Sequence, residues 1–271
     1  MTLDLHTHTI YSDGDLDILG NVKKAMEVGL DGIAIVDHDN IDSWKEIDKN
    51  TYPIKVIKGV ELSTYYKGAN VHVLGYYLND GGDYHELDDF LVKTRRERLE
   101  RIDKIIKLLE PFNIILTKEE IIKEADGAVA RPHVAKAIMK KYPELGLTKN
   151  DIFNKYIGND GPAYVPVNNF QTDAAVKMLH DNHCLAIIAH PKLIDKFDYK
   201  ELLLLGIDGM EGFYKYKYDD FLDVVEFCDE NDLLVTGGSD YHGPNTRDSI
   251  GEIYLDDKRS KQFLKKINYP F

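Results

Sequence analysis

Seven short apolar runs punctuate the chain, and most are followed by stretches whose apolar residues recur at helical spacing. The runs are LDLHTH (3–8), GIAIVDHD (32–39), KVIKGVELS (55–63), NVHVLGYYL (70–78), CLAIIAHP (184–191), GIDGMEGFY (206–214) and LLVTGGSDYHG (233–243). Their length and apolar content predict strands. Helical patterns occupy 18–30, the region around 41–50, 172–183, 198–205 and 218–231. Strands alternating with helices predict an α/β fold with a mainly parallel sheet. Seven such units in roughly 200 residues predict a closed barrel of the TIM-like kind. An open doubly wound sheet is its structural rival.

The alternation is broken once, from about Tyr84 to Pro166. This block opens with HELDDFLVKTRRERLERIDKIIKLLE, which stops at Pro111, and shorter helical patterns follow near 117–125, 131–141 and 148–157. It contains no strand pattern. The expected organisation is therefore a barrel domain at 1–83 and 167–271, with an all-helical insertion at 84–166. An insertion between the fourth and fifth strands of a barrel emerges at the C-terminal mouth, where such enzymes keep their active sites.

Charge sharpens this division. The 271 residues carry a formal net charge of −13, yet 91–145 holds 13 Lys and Arg against 9 Asp and Glu. The overall acidity excludes sequence-independent binding of long nucleic acid, which relies on basic surface. A local basic excess in the insertion reads by itself as a solvated helical face, and at the mouth of a barrel as a cap that gathers small phosphorylated molecules. Two cysteines, Cys184 and Cys228, stand far apart, so neither a disulfide framework nor a zinc ribbon is available. No signal-peptide pattern or apolar stretch of membrane-spanning length occurs, and a cytoplasmic protein without membrane contact is expected. Nothing predicts a protein partner.

The polar residues that interrupt the strand pattern carry the chemistry. Six of the ten histidines stand at or just after a strand end. Asp4, His6 and His8 share one strand parity, which aims both imidazoles to one side. His38 follows IAIV, Glu61 ends the third run, His72 lies in the fourth, His190 closes the fifth, and Asp240 and His242 close the seventh. Asp13 lies in the SDGD turn. Three carboxylates and six imidazoles gathered in a closed barrel would be costly without compensation. Divalent cations remove that cost, and a His and carboxylate set without thiolate suits Zn, Mn or Fe.

The segments LDLHTHTIYSDGD, IAIVDHD, GVELS, VHVLGY, IAHP and GGSDYHG resemble, in order and spacing, the PHP (polymerase and histidinol phosphatase) family. The resemblance covers nearly the whole chain. It implies a distorted (β/α)7 barrel, a centre of two or three divalent metal ions, and phosphoester hydrolysis by metal-activated hydroxide. Carried over by motif, His6, His8, Glu61 and Asp240 hold a first ion. Glu61 bridges to a second, completed by His72 and His190. Asp13, His38 and His242 hold a third, placed to act on the leaving oxygen. Glu61, Asp13 and His38 are the residues expected to carry catalysis.

The insertion narrows the substrate. RPHVAKAIMKK, placed after VHVLGY, resembles family members that hydrolyse nucleoside 3′,5′-bisphosphates or trim short RNA. The fourth strand lacks the GSVH-like motif of histidinol-phosphate phosphatases. Arg131 and His133 are the first candidates for holding substrate phosphate, because Arg recognises it bidentately and a helix start adds N–H donors. Arg95 and Arg98, three apart, can share a helix face, and Arg247 is a further candidate. The expected activity is hydrolysis of phosphate monoesters of small nucleotides. The alternatives are a phosphatase of a metabolite such as histidinol phosphate or a sugar phosphate, and a non-catalytic metal-binding scaffold. Glu211, at the end of the sixth strand, is read equally as structural or as orienting a ligand histidine. The tyrosines of YKYKY (214–218) read as an aromatic rim or as a nucleobase platform. His180 and His183 flank a helix end, and Cys184 belongs to the core.

Overall fold

A two-residue connection decides how the sheet runs. β3 (Lys55–Tyr66) and β4 (Ala69–Tyr77) are separated only by Lys67 and Gly68, whose φ angles are 45° and 85°. Two residues with positive φ close a hairpin, whereas a parallel pair needs a crossover of roughly a dozen residues. β4 is therefore antiparallel to β3, with Glu61 opposite Leu74 and Ser63 opposite His72. It is also antiparallel to β5 (Cys184–Ile188). The remaining neighbours are parallel: β1 (Leu3–Thr7), β2 (Gly32–Ile35) and β3 on one side, and β5, β6 (Gly209–Phe213) and β7 (Leu234–Gly237) on the other. The sheet is thus mainly parallel, as expected, and is made mixed by the reversed β4. The strand order is β1 to β7 in sequence, and beyond β7 Tyr241 makes a parallel bridge to Thr7 of β1.

This architecture comes from a computed structural model, which describes residues 1–125, 129, 131–158, 160–165, 170–244, 246 and 248–269. They divide into two compact units, Met1–Leu91 with Asn169–Phe271, and Val92–Asn168. In the sheet unit, α1 (Ile18–Glu27) is capped by Asp17, whose carboxylate accepts from the Gly20 N–H. Its buried Ile18, Val22 and Ala25 pack with Ile33 and Ile35 of β2. α2 (Asp42–Lys49) buries Trp44, whose Nε1 donates to the Gly59 carbonyl at 2.8 Å. Opposite-parity strand residues Leu5, Ala34, Ile57, Leu74 and Ile187 form a second core. That core is completed by Phe263 and Leu264 of a helix over Asp257–Lys266. The sequence pattern did not predict this last helix, because DKRSKQFLKK offers only those two apolar side chains.

α3 (His85–Leu109) crosses from one unit to the other. Leu87 and Leu91 are buried in the sheet unit's core with Trp44, Val176 and Leu179, so that unit extends past residue 84. The expected boundary at 166 and 167 lies outside the described residues. The helical unit continues with α4 (Lys118–Ile122), α5 (Arg131–Lys141), α6 (Lys149–Ile152) and a π-helical turn at Phe153–Ile157. Its own core includes Ile105, Leu109, Val134, Ile138, Ile152 and Ile157. The sheet unit resumes with α7 (Thr172–Asp181) and carries α8 (Tyr218–Glu230) between β6 and β7; the helix at Asp257–Lys266 is α9. Among the described residues no helix is long and apolar enough to cross a membrane.

Candidate metal centre

Nine side chains from six strands and their following loops meet at one point, and Glu61 stands at its middle. Its Oε1 lies 2.7 Å from His72 Nδ1 and 3.3 Å from His190 Nε2. Its Oε2 lies 3.2 Å from His6 Nε2, 3.3 Å from His8 Nε2 and 3.3 Å from His38 Nδ1. Asp240 Oδ1 approaches the same His6 and His8 nitrogens at 3.3 and 3.2 Å. Asp13 lies 3.4 Å from His242 Nε2 and 3.7 Å from nitrogens of both His8 and His38.

Ligand atoms gather into three sets, within each of which all lie no more than 4.8 Å apart. His6, His8, Glu61 and Asp240 form one, and His8, Asp13, His38 and His242 another. The third is His38, Glu61 and His72. His38, expected only beside Asp13, thus also faces Glu61, while His190 meets the cluster through Glu61 and through the rings of His6 and His72.

Local backbone features aim these groups. β1 carries one extra residue between Asp4 and Thr7, relative to Ile33 and Ile35 of β2. Such a bulge reverses the facing of the residues beyond it. Asp4, expected on the side of His6 and His8, instead accepts from the N–H and Oγ of Ser239 and from the Gly251 N–H. The carboxylates flanking His38 anchor its loop. Asp37 accepts from the Thr9 N–H and hydroxyl and from the Ser12 hydroxyl, and Asp39 accepts from the Ser63 N–H and hydroxyl. Asp39, His190 and Asp240 all have left-handed backbones, with φ of 46°, 31° and 56°. Non-glycine residues held there cost about 1–3 kcal/mol each and concentrate at functional sites. Gly238 is required by contact, since a Cβ there would lie 2.3 Å from the His6 backbone nitrogen.

The electrostatics are those of a cation site. Burial disfavours a charged His8, yet Asp240 and Glu61 outweigh it and hold the imidazole up at about 10. Burial likewise opposes ionisation of Glu61, and His38, His6 and His72 hold it well below the ordinary carboxylate range. Both His8 nitrogens, His38 Nδ1 and Asp13 Oδ1 are buried without a hydrogen-bond partner. Buried polar atoms are seldom left so. These orphaned atoms belong to the groups that point at one another, and the donor set fits divalent metal.

Two histidines have their ring orientation set from behind. His242 Nδ1 donates to the Asp240 carbonyl at 2.8 Å, and His6 Nδ1 pairs with Glu211 Oε1 at 2.9 Å. Sequence reading grouped Tyr214 with the rim tyrosines; in the structure its hydroxyl donates to Asp240 Oδ2 at 2.9 Å. The available signal was its position, one residue beyond β6.

Of the expected phosphate-binding residues, none that is described belongs to the sheet unit. Arg131, His133, Arg95 and Arg98 belong to the helical unit, and Arg247 lies outside the described residues. Arg131 opens α5, donates to the Ile157 carbonyl at 3.0 Å and stacks near Phe153 and Tyr164. With Phe153, Asn154, Gly158, Asp160 and Gly161 it lines a cavity of about 450 Å³. Arg95 and Arg98 are half-buried while Arg96 between them is exposed, as a shared helix face requires.

Known proteins place this arrangement. Over 258 residues the chain is 31% identical to a 5′-3′ exoribonuclease of Haemophilus influenzae, covering 89% of this chain and 90% of that one. It is 26% identical to a 3′,5′-nucleoside bisphosphate phosphatase of Chromobacterium violaceum, covering 89% and 87% of the two chains. The crystal structure of a candidate metal-dependent phosphoesterase from Bifidobacterium adolescentis shares the fold, with a TM-score of 0.78 at 23% identity over 97% and 96% of the chains. Residues 4–205 match the PHP domain, and on that match, which spans most of its length, the chain belongs to the PHP domain family.

Proposed function

We propose that this chain is a metal-dependent phosphoesterase that removes phosphate from small nucleotides, converting a nucleoside 3′,5′-bisphosphate to the 5′-monophosphate. The observation that carries the reading is the convergence of His6, His8, Asp13, His38, Glu61, His72, His190, Asp240 and His242, several with orphaned buried donor atoms. The sheet is read as a distorted barrel around this centre, its ends joined through Thr7 and Tyr241.

Two or three divalent ions, Mn, Zn or Fe, suit the donor set. Bound there, such ions supply Lewis-acid polarisation of phosphoryl oxygens and acidify water. The protein's part is geometric. Glu61 offers one oxygen to the side of His72 and His190 and the other to the side of His6, His8 and His38. Asp13 and His38 face the third side, where the leaving oxygen would sit. Arg131 and His133, with Arg95 and Arg98 as a further pair, are proposed to hold substrate phosphate. Arg suits that role through bidentate donation.

The exoribonuclease relative favours a second reading, trimming of short RNA from its 5′ end. One experiment separates them. Metal-stripped protein is reconstituted with Mn²⁺ and given adenosine 3′,5′-bisphosphate, or a 5′-phosphorylated RNA of a few nucleotides, and products are chromatographed. The proposal expects AMP and phosphate from the bisphosphate. Mononucleotides from the RNA with a silent bisphosphate would establish the second reading. Turnover only of histidinol phosphate or sugar phosphates would overturn both, and silence on every ester despite bound metal would leave a scaffold.

A further inference from the structure

Six strands, or the loops directly beyond them, supply the nine clustered side chains, and β6 supplies none. Yet Glu211 on β6 is fully buried among them. Both of its oxygens are committed: Oε1 lies 2.9 Å from His6 Nδ1, and Oε2 accepts the His190 N–H at 2.9 Å. Each oxygen is thus engaged by a neighbour, one by a ring nitrogen and the other by a backbone N–H. The residue that follows β6, Tyr214, donates its hydroxyl to Asp240 Oδ2, leaving Oδ1 facing His6 and His8. Its ring packs 5.4 Å from that of His190.

We propose that β6 is the positioning strand of the metal centre, with Glu211 and Tyr214 aiming ligands that come from β1, β5 and β7. The proposal rests on the metal-binding reading above. A carboxylate at 211 requires the proton of His6 to sit on Nδ1, so the Nε2 lone pair points at Glu61 and Asp240. Glu211 also holds the backbone N–H of His190, whose φ of 31° is one of the strained values at the site. Tyr214 fixes which oxygen of Asp240 is presented. Outer hydrogen bonds of this kind set ligand tautomer and orientation.

Glutamine at 211 tests the chemistry with little change of shape. An amide accepts through its oxygen only, so its NH2 must confront either the His190 N–H or the His6 Nδ1 proton. The latter drives His6 to the opposite tautomer and removes its lone pair from the cluster. Zn²⁺ affinity of wild type, Glu211→Gln and Tyr214→Phe is measured by competition with a chelating indicator. Thermal melts of the same samples report folding, and ¹⁵N shifts of the His6 ring report the tautomer. The expected result is a roughly 10–100-fold weaker Zn²⁺ affinity for Glu211→Gln, an altered His6 ring signature, and a smaller loss for Tyr214→Phe. Folded variants with wild-type affinity and an unchanged His6 ring would overturn the proposal. If Glu211→Gln does not fold, Tyr214→Phe decides by the same affinity measurement. Wild-type protein that holds no Zn²⁺ would instead sink the metal-binding reading itself.

Discussion

Glu61→Ala is expected to abolish most phosphoester turnover and to lower bound metal in the same preparation. Five histidines lie within 3.3 Å of its two oxygens, so the substitution removes the one group shared by the His72 and His190 side and the His6, His8 and His38 side. Losing an outer hydrogen bond to a metal ligand costs roughly 10–100-fold. Loss of the carboxylate shared by two of the ligand groups should exceed that, about 10³-fold in kcat/KM by comparison with removal of a strong electrostatic stabiliser. Glu61→Gln keeps the side-chain shape but not the charge and should lose nearly as much. The check pairs kcat/KM on the best substrate with metal content by elemental analysis. Near-wild-type turnover and metal stoichiometry in either variant would remove Glu61 from the reaction.

Most of the centre was legible in the sequence because strand periodicity and strand ends are local properties. Ile57, Gly59 and Glu61 share one strand parity, and the apolar runs ahead of His38 and His190 mark where β2 and β5 stop. Features set by pairing between distant segments were not legible. The direction of β4 is a local matter instead, set by the two-residue turn at Lys67 and Gly68, which apolar periodicity ignores. The β1 bulge depends on register with β2, so parity counting placed Asp4 with His6 and His8, from which the extra residue separates it. His38 was expected in one ligand set and touches two, because its ring lies between Asp13 and Glu61 rather than at a strand end alone. Tyr214 looked like one tyrosine among several, since nothing in YKYKY tells which hydroxyl meets Asp240. Helix α9 escaped notice for a different reason: tertiary contact with Leu3, Leu5 and Ile57 stabilises a segment with almost no apolar period of its own.

Asp4→Ala is expected to destabilise the fold by about 4 kcal/mol, a large part of a typical 5–15 kcal/mol. Its fully buried carboxylate accepts from the Ser239 N–H and hydroxyl, the Gly251 N–H and the His6 N–H, at 2.6 to 3.2 Å. Each buried donor left unpaired costs about 1–3 kcal/mol. The total falls below their sum because burial penalises the carboxylate itself, which is why its pKa is pushed up to about 6. That shift has a sign that can be tested. Below about pH 4 the group is protonated in both states. Between pH 4 and pH 6 the unfolded chain releases this proton while the folded chain keeps it, so stability from this group declines as pH rises. Asp4→Asn keeps an acceptor oxygen and no longer titrates. It should be less destabilising than alanine, and its stability relative to wild type should rise between pH 4 and pH 6. Urea midpoints of the three proteins across that range measure both effects. A loss below 1 kcal/mol in Asp4→Ala, or a difference between Asp4→Asn and wild type that does not change with pH, would contradict this account. Function should follow stability here, because Ser239 precedes Asp240: once the side-chain latch from β1 is cut, the loop carrying Asp240 and His242 keeps the backbone bonds of Tyr241 to His6 and His8 but loses the tie that fixes Ser239.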